Sequence, residues 1–294
     1  MPPAKITIIH PDLGIGGAER LIIDVALALQ SRGHPVTIYT SHRDKSHCFE
    51  EARDGTLDVQ VRGNTIFPAH VGGRLFVLMA ILRQLHLTWE LLVGEGATND
   101  EDGEEEEVFI VDQMPACVPF LKVFGGKKNS RKRQRILFYC HFPDQLLARR
   151  DEGGSVLQVL KGLYRVPFDW FEGWAVSASD KVVANSRFTR GVVSGVFGRE
   201  KVGELSVVYP CVDTKAGDGV EGVVQDGEQL WGGKKILLSV NRFERKKDLA
   251  LAIRAYHGLG AEKRKGTRLV VAGEYCPFLS AVDALVVCWL MGVR

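Results

Sequence analysis

KITIIHPDLGIGGAERLIIDVALALQSRGHPVTIYT, residues 5–40, reads as a strand, a glycine-rich turn, a helix and a second strand. The run Lys5 to His10 is short and apolar, as a buried strand requires. From Ala18 to Gln30 the apolar residues Leu21, Ile22, Val25, Ala28 and Leu29 fall on one helical face, while Glu19, Arg20 and Asp24 lie elsewhere. Gly33 supplies a C-terminal stop and Pro35 to Thr40 returns to a strand pattern. Two strands joined through a helix are parallel neighbours with a right-handed crossover, so the chain opens on a βαβ unit.

Working outward, further strands are expected at Leu57–Val61, Val108–Val111, Ile136–Cys140 and Lys181–Ala184, with helices at Leu75–Leu92, Pro115–Phe124 and Val156–Ala178. This alternation predicts a doubly wound α/β domain over residues 1–210. A glycine-rich polar stretch, 211–233, reads as a linker. The pattern then restarts with strand Lys235–Val240, helix Lys247–His257 and strand Arg268–Ala272, the beginning of a second such domain over 234–294. A chain of 294 residues has room for this division.

Composition removes several function classes. With 45% hydrophobic and 25% charged residues the chain is in the ordinary globular range. Its net charge of +2, without a basic stripe interleaved with aromatics, argues against a nucleic-acid partner. Six scattered cysteines form no CxxC pair and read as reduced thiols rather than a zinc site. Met1-Pro-Pro runs directly into the first strand, without the regions of a signal peptide, so the chain is expected to begin in the cytosol. The acidic run Glu95–Glu107 and the basic run Lys127–Arg135 read as solvated loops, the basic one also suited to anionic lipid headgroups. The apolar stretch Leu75–Val93 carries Arg83, Gln84, His86 and Glu90, which suits a buried core helix or one lying in a bilayer interface better than a spanning helix.

Three places could carry chemistry. In the first turn, Gly14, Gly16 and Gly17 let the backbone approach a ligand at a helix N-terminus, where a phosphate or sugar hydroxyl fits; a purely structural tight turn explains the glycines equally. Glu19 stands where a dinucleotide fingerprint needs its third glycine, and Thr40-Ser41-His42 offers no ribose-binding carboxylate, which argues against a nicotinamide cofactor. His141 follows a buried strand and reads as either a ligand contact or a structural histidine. Arg242 and Lys247, where strand 235–240 gives way to a helix, could neutralise a diphosphate or simply form a solvated helix start; their strand-end position favours the first.

Taken together, HPDLGIGGAERLIIDVALAL, ILFYCHFPDQLL, LYRVPFDWFEGWA, VVANSRFT, VVYPCVD and LSVNRFERKKDLALAI closely resemble the eukaryotic alpha-1,3/1,6-mannosyltransferases of dolichol-linked oligosaccharide assembly, retaining glycosyltransferases of the GT-B type, family 4. The resemblance implies two Rossmann-like domains, GDP-mannose as donor substrate, a dolichol-linked oligosaccharide as acceptor, no cofactor or metal, and a place on the cytosolic face of the endoplasmic reticulum membrane, beside other transferases of the pathway. It also implies roles: Gly16 and Gly17 shape the loop near the reaction centre, His141 contacts the transferred sugar, and Arg242 and Lys247 hold the donor diphosphate. The likeness ends at Gly273. The family continues with more strands and a Glu-x7-Glu donor motif, whereas here Glu274-Tyr-Cys-Pro277 leads into an apolar tail, Phe278–Arg294. The resemblance therefore implies an incomplete donor domain, low solubility and impaired transfer. The alternatives are a non-catalytic fragment that binds acceptor or partner, and a retaining transferase using another nucleotide sugar.

Overall fold

The computed structural model describes residues 3–72, 75–95, 106–125, 134–147, 156–211, 233–241, 243 and 247–273. The chain divides into two compact units, Met1–Val212 and Asp213–Arg294. The stretch 212–232, where the sequence places the linker, lies outside the described residues, as do most of the two charged runs and the tail from 274.

The first unit is a seven-stranded parallel sheet in the order β3-β2-β1-β4-β5-β6-β7. Its strands are β1 (Lys5–His10), β2 (Val36–Thr40), β3 (Asp58–Val61), β4 (Glu107–Asp112), β5 (Gln134–Cys140), β6 (Lys181–Ala184) and β7 (Ser206–Val207). Its helices are α1 (Gly17–Gln30), α2 (Phe76–Glu95), α3 (Val118–Phe124), α4 (Asp144–Leu147), α5 (Val156–Ser177), α6 (Arg187–Phe197) and α7 (Arg199–Val202). Glu107, read from sequence as the end of a solvated loop, is the first residue of β4 and pairs with Lys5 at 3.4 Å. Elements α4, α6, α7 and β7 go beyond the sequence pattern: α4 and α7 have four residues each and β7 two, whereas α6, of eleven, is one that sequence reading passes over.

Burial follows from the parallel topology, which leaves central strands covered on both faces. Ile6, Ile8, Ile22, Ile23, Ala26 and Ile38 are among the residues of one cluster, while Ile9, Leu87, Phe109, Val111, Leu121 and Phe138 belong to another. The buried residues of α1 are Leu21, Ile22, Ile23 and Ala26, and Ala28, expected on the inner face, is exposed. The helix stops where expected, with Gly33 at φ +84° just beyond it.

Helix α2 is the one helix among the described residues long and apolar enough to cross a membrane by length and composition. It is amphipathic. Met79, Gln84, Leu87, Thr88 and Leu91 are buried, whereas Phe76, Trp89 and Val93 are exposed. Gln84 donates from Nε2 to the Met114 carbonyl at 2.7 Å and accepts from the Cys117 amide at 3.2 Å, so this helix fastens the loop that follows β4.

In the second unit, β8 (Lys235–Val240) pairs in parallel with β9 (Thr267–Ala272), and α8 (Leu249–His257) and α9 (Ala261–Lys265) lie between them in sequence. Leu237, Leu238 and Val240 of β8 are exposed.

Candidate functional site

Strand order reverses direction between β1 and β4, and ligands in open parallel sheets bind beyond the carboxyl ends of strands at such a point. Here each of these two strands ends in a buried polar residue, His10 on β1 and Asp112 on β4, both with no exposed side-chain surface. One carboxylate oxygen of Asp112 lies 2.8 Å from His10 Nδ1 and the other 2.9 Å from His141 Nε2. Burial pushes the Asp112 carboxyl up, but the hydrogen bonds from His10 and His141 outweigh it and hold the group below its ordinary range.

A carboxylate that accepts from both rings assigns their protons. His10 carries its proton on Nδ1 and His141 carries one on Nε2, which leaves His141 Nδ1 to accept a hydrogen bond from a ligand hydroxyl. The His141 side chain keeps 23% of its surface exposed. Tyr139 meets its ring edge-on, with centroids 5.1 Å apart. Burial raises the Tyr139 phenol to about 12, so it stays a donor, bonded to the Val208 carbonyl at 2.7 Å.

The backbone around these groups is tied down from several elements. Gln113, directly after Asp112, has φ +62°, a left-handed conformation that side chains adopt at a cost. The Met114 amide folds back onto the Asp112 carbonyl at 2.7 Å. On the far side, the His141 carbonyl accepts from Asn185 Nδ2 at 3.2 Å and Thr189 Oγ1 at 3.4 Å. Ser186 caps α6 by accepting from the Thr189 amide, so the stretch VVANSRFT has a structural role in presenting a capped helix start to the histidine loop.

The glycine turn lies on the same edge. Gly16 is the N-cap of α1 in extended backbone that any residue adopts; a Cβ there would stand 2.2 Å from Glu19 Oε2, so the Glu19 side chain would have to turn aside. Glu19, in the first turn of α1, folds its carboxylate back over Gly16 and brings Oε1 to 4.0 Å from His10 Nε2. Gly17 is exposed with open space around it. Gly16, Gly17 and His141 are thus brought to one edge of the first unit, linked through Glu19, His10 and Asp112.

Beyond His141, the carboxylate of Glu172 on α5 accepts from the amides of Asp144 and Gln145 at 2.7 and 3.1 Å, closing the start of α4. Burial raises the Glu172 carboxyl to about 7, against the pull of those amides, and burial also raises Asp144 against the pull of Arg165.

The expected diphosphate-binding pair lies in the second unit. Lys247 is exposed just before α8, and Arg242 lies outside the described residues. The end of β8 lies close beside the end of β9: a Cβ on Gly273, after β9, would fall 1.7 Å from the Asn241 carbonyl oxygen after β8.

Sequence reading passes over His10 and Asp112 because each looks like the polar end of an apolar strand. The signal is nonetheless present, since each closes a strand beside the reversal point. Among the described residues no group of three or more His, Cys, Asp or Glu side chains is placed to hold a metal ion. Cys48, Cys117 and Cys140 are buried free thiols, and burial pushes Cys117 up to about 12.

No family model matches the chain. It is 45% identical over 274 residues to the alpha-1,3/1,6-mannosyltransferase alg-2 of Neurospora crassa, an alignment covering 92% of this chain and 55% of that protein. To the alpha-1,3/1,6-mannosyltransferase ALG2 of Saccharomyces cerevisiae it is 42% identical over 276 residues, covering 92% of this chain and 50% of the relative. The chain therefore spans about half the length of the curated relatives it matches. Among solved structures it is similar to an alpha,alpha-trehalose-phosphate synthase from Burkholderia vietnamiensis, with TM-score 0.61 and 14% identity, covering 99% of this chain and 68% of that one. The glycosyltransferase WaaG of lipopolysaccharide biosynthesis gives TM-score 0.61 at 16% identity, covering 98% and 68%. The motif resemblance is borne out as homology to the mannosyltransferases, and the GT-B fold class as structural likeness.

Proposed function

We propose that this chain, homologous over 92% of its length to alpha-1,3/1,6-mannosyltransferases, serves in the transfer of mannose from GDP-mannose to a dolichol-linked oligosaccharide. The observation that carries the reading is the Asp112-bridged histidine pair at the reversal point of a fold shared with glycosyltransferases. In the reaction the bond from mannose C1 to the diphosphate breaks, an acceptor hydroxyl oxygen bonds to C1, and its proton leaves with GDP. His141 Nδ1 accepts from a hydroxyl of the transferred sugar, oriented by Asp112. Gly16 and Gly17 keep the adjoining turn thin enough for the sugar to approach. Arg242 and Lys247 offset the negative charge that grows on the departing diphosphate, so charge neutralisation there needs no cofactor.

Calorimetric titration of the purified chain tests the donor assignment. GDP binds more tightly than UDP, and Lys247→Ala weakens GDP by about tenfold or more, the scale of a charge-assisted hydrogen bond. Tighter UDP binding overturns the mannose donor, and undiminished GDP affinity in the variant removes Lys247 from the site.

A lipid-linked acceptor requires the enzyme at a membrane, here the cytosolic face of the endoplasmic reticulum. On α5, Leu163, Val166, Trp170 and Trp174 recur at helical spacing and are all exposed, Trp170 by 70%. Helices α3 and α4 pack against α5 and add exposed Phe120, Val123, Phe124, Leu146 and Leu147. Exposed tryptophans on an apolar face suit the headgroup level of a bilayer. Flotation with anionic liposomes is expected to carry the chain upward and to weaken with Trp170→Ala and Trp174→Ala together; flotation unaffected by that pair takes this face out of the reading.

A further inference from the structure

We infer that Glu19 and His10 are positioning residues that couple the glycine turn to His141. The inference deepens the functional reading above, although its first test does not depend on mannose transfer.

His10 is fully buried, and while Nδ1 is committed to Asp112, its Nε2 is buried without a hydrogen-bond partner among the described residues. A buried ring nitrogen left unbonded is costly. The group it faces is Glu19 Oε1 at 4.0 Å, beyond hydrogen-bond reach by about 1 Å. With the ring proton on Nδ1, Nε2 and an ionised carboxylate are both acceptors, so a small rotation of Glu19, whose side chain is 21% exposed, closes that gap as a hydrogen bond only when a further proton lies between the two groups. Glu19 in turn occupies the space a Cβ would take on Gly16. The turn therefore cannot gain bulk at Gly16 without displacing the carboxylate.

The chain of contacts runs from Gly16 through Glu19, His10 and Asp112 to His141, joining residues from α1, β1, β4 and the loop after β5. The charged and titratable groups facing His10 are Asp112 from β4 and Glu19 from α1, and His141 shares Asp112 with it. A ligand that settles on the turn and draws Glu19 toward or away from His10 alters how firmly His10 holds one oxygen of Asp112. The other oxygen, which fixes the His141 proton on Nε2, then responds. Gly16 thus acts by making room for Glu19.

Long-range nitrogen–proton NMR of the two imidazole rings in the full chain provides the test. In the wild type His141 shows the form protonated on Nε2. Glu19→Ala and Gly16→Ala each move the His10 ring signals, and His10→Phe shifts His141 toward a mixture of ring forms, whereas His10→Gln, whose amide can still donate to Asp112, preserves most of the wild-type His141 pattern. Unfolding midpoints identify any variant that fails to fold, and Glu19→Ala, at a partly exposed site, serves as the variant that keeps the fold. If Glu19→Ala leaves both rings unmoved, the coupling is absent. Where transfer is measurable, His10→Phe lowers kcat roughly ten- to a hundredfold, as a misplaced contact does, with GDP affinity unchanged. Loss of GDP affinity in that variant instead signals global damage and overturns the assignment. A chain that never transfers mannose but shows these ring responses refutes the function and keeps the coupling.

Discussion

Exchanging Asp112 for alanine is expected to lower the unfolding free energy of the first unit by about 3–5 kcal/mol, the cost of removing one partner from a buried ionic cluster. Both carboxylate oxygens are engaged within the fold, at 2.8 and 2.9 Å, so alanine leaves two ring N–H groups without acceptors, one of them fully buried. Asparagine is the informative comparison. Its amide has the same shape but one acceptor oxygen, so it can satisfy one N–H and faces the other with a donor. The loss should be smaller, and the difference between aspartate and asparagine should depend on pH. Asp112 is held below its unfolded value, and such a group contributes stability that is fully present above that value, about 3.9, and lost as pH falls through the folded value. The gap between wild type and Asp112→Asn should therefore be constant near neutrality and shrink below about pH 4. Hydrogen exchange at the amides of β1 and β4, followed across pH, reads the first unit by itself. A gap that widens on acidification reverses the sign and removes the claim that the two histidines stabilise the ionised carboxylate.

The contrast between what could and could not be read from the chain follows from the range of the interactions. Strand β1 and helix α1 are written in local periodicity, and the stop at Gly33 is a property of one residue's backbone, so residues 5–40 disclose a βαβ unit unaided. The resemblance of LSVNRFERKKDLALAI and ILFYCHFPDQLL to known transferases singles out Lys247 and His141 as candidates because motifs lie in short stretches. The network around Asp112 is different in kind. His10 and Asp112 are 102 residues apart, and His141 lies 29 further on. Their meeting depends on β1 pairing with β4 in the register that sets Ile9 against Val111, and on β5 setting Tyr139 against Asp112. No local window contains that register. Gly16, which from sequence makes room for a ligand, also makes room for Glu19, and that need is hidden because the side chain concerned sits one turn along the helix. The seventh strand and α7 escape because two and four residues carry too little pattern to register.

Among the described glycines of the first unit, Gly63 is the position where a single added methyl group should do most damage, and it separates two effects that glycine substitutions usually mix. Its φ of +74° costs an L-residue about 1–2 kcal/mol wherever it occurs. A Cβ here would also stand 2.5 Å from the Leu87 amide nitrogen and 2.6 Å from the Arg83 carbonyl oxygen, both backbone atoms of α2. Backbone within a helix cannot yield as a side-chain tip can, so α2 must move away from the sheet, and overpacking of this kind adds about 1–3 kcal/mol. Gly55 supplies the control. Its φ is +93°, but nothing lies within 4 Å of its notional Cβ. Gly55→Ala should therefore cost only the conformational part, and Gly63→Ala about 2–5 kcal/mol in total. The larger loss has a structural route to the candidate site. Gly63 donates its amide to Glu90 Oε2 on α2 at 2.8 Å, and α2 in turn carries Gln84, which fastens the loop after Asp112 through Met114 and Cys117. Displacing the helix should loosen that loop, so exchange at the Cys117 amide should accelerate in Gly63→Ala and stay near wild type in Gly55→Ala. Equal losses in the two variants would mean that α2 is free to slide, and that its buried face, with Gln84 at its centre, does not hold Asp112 in place.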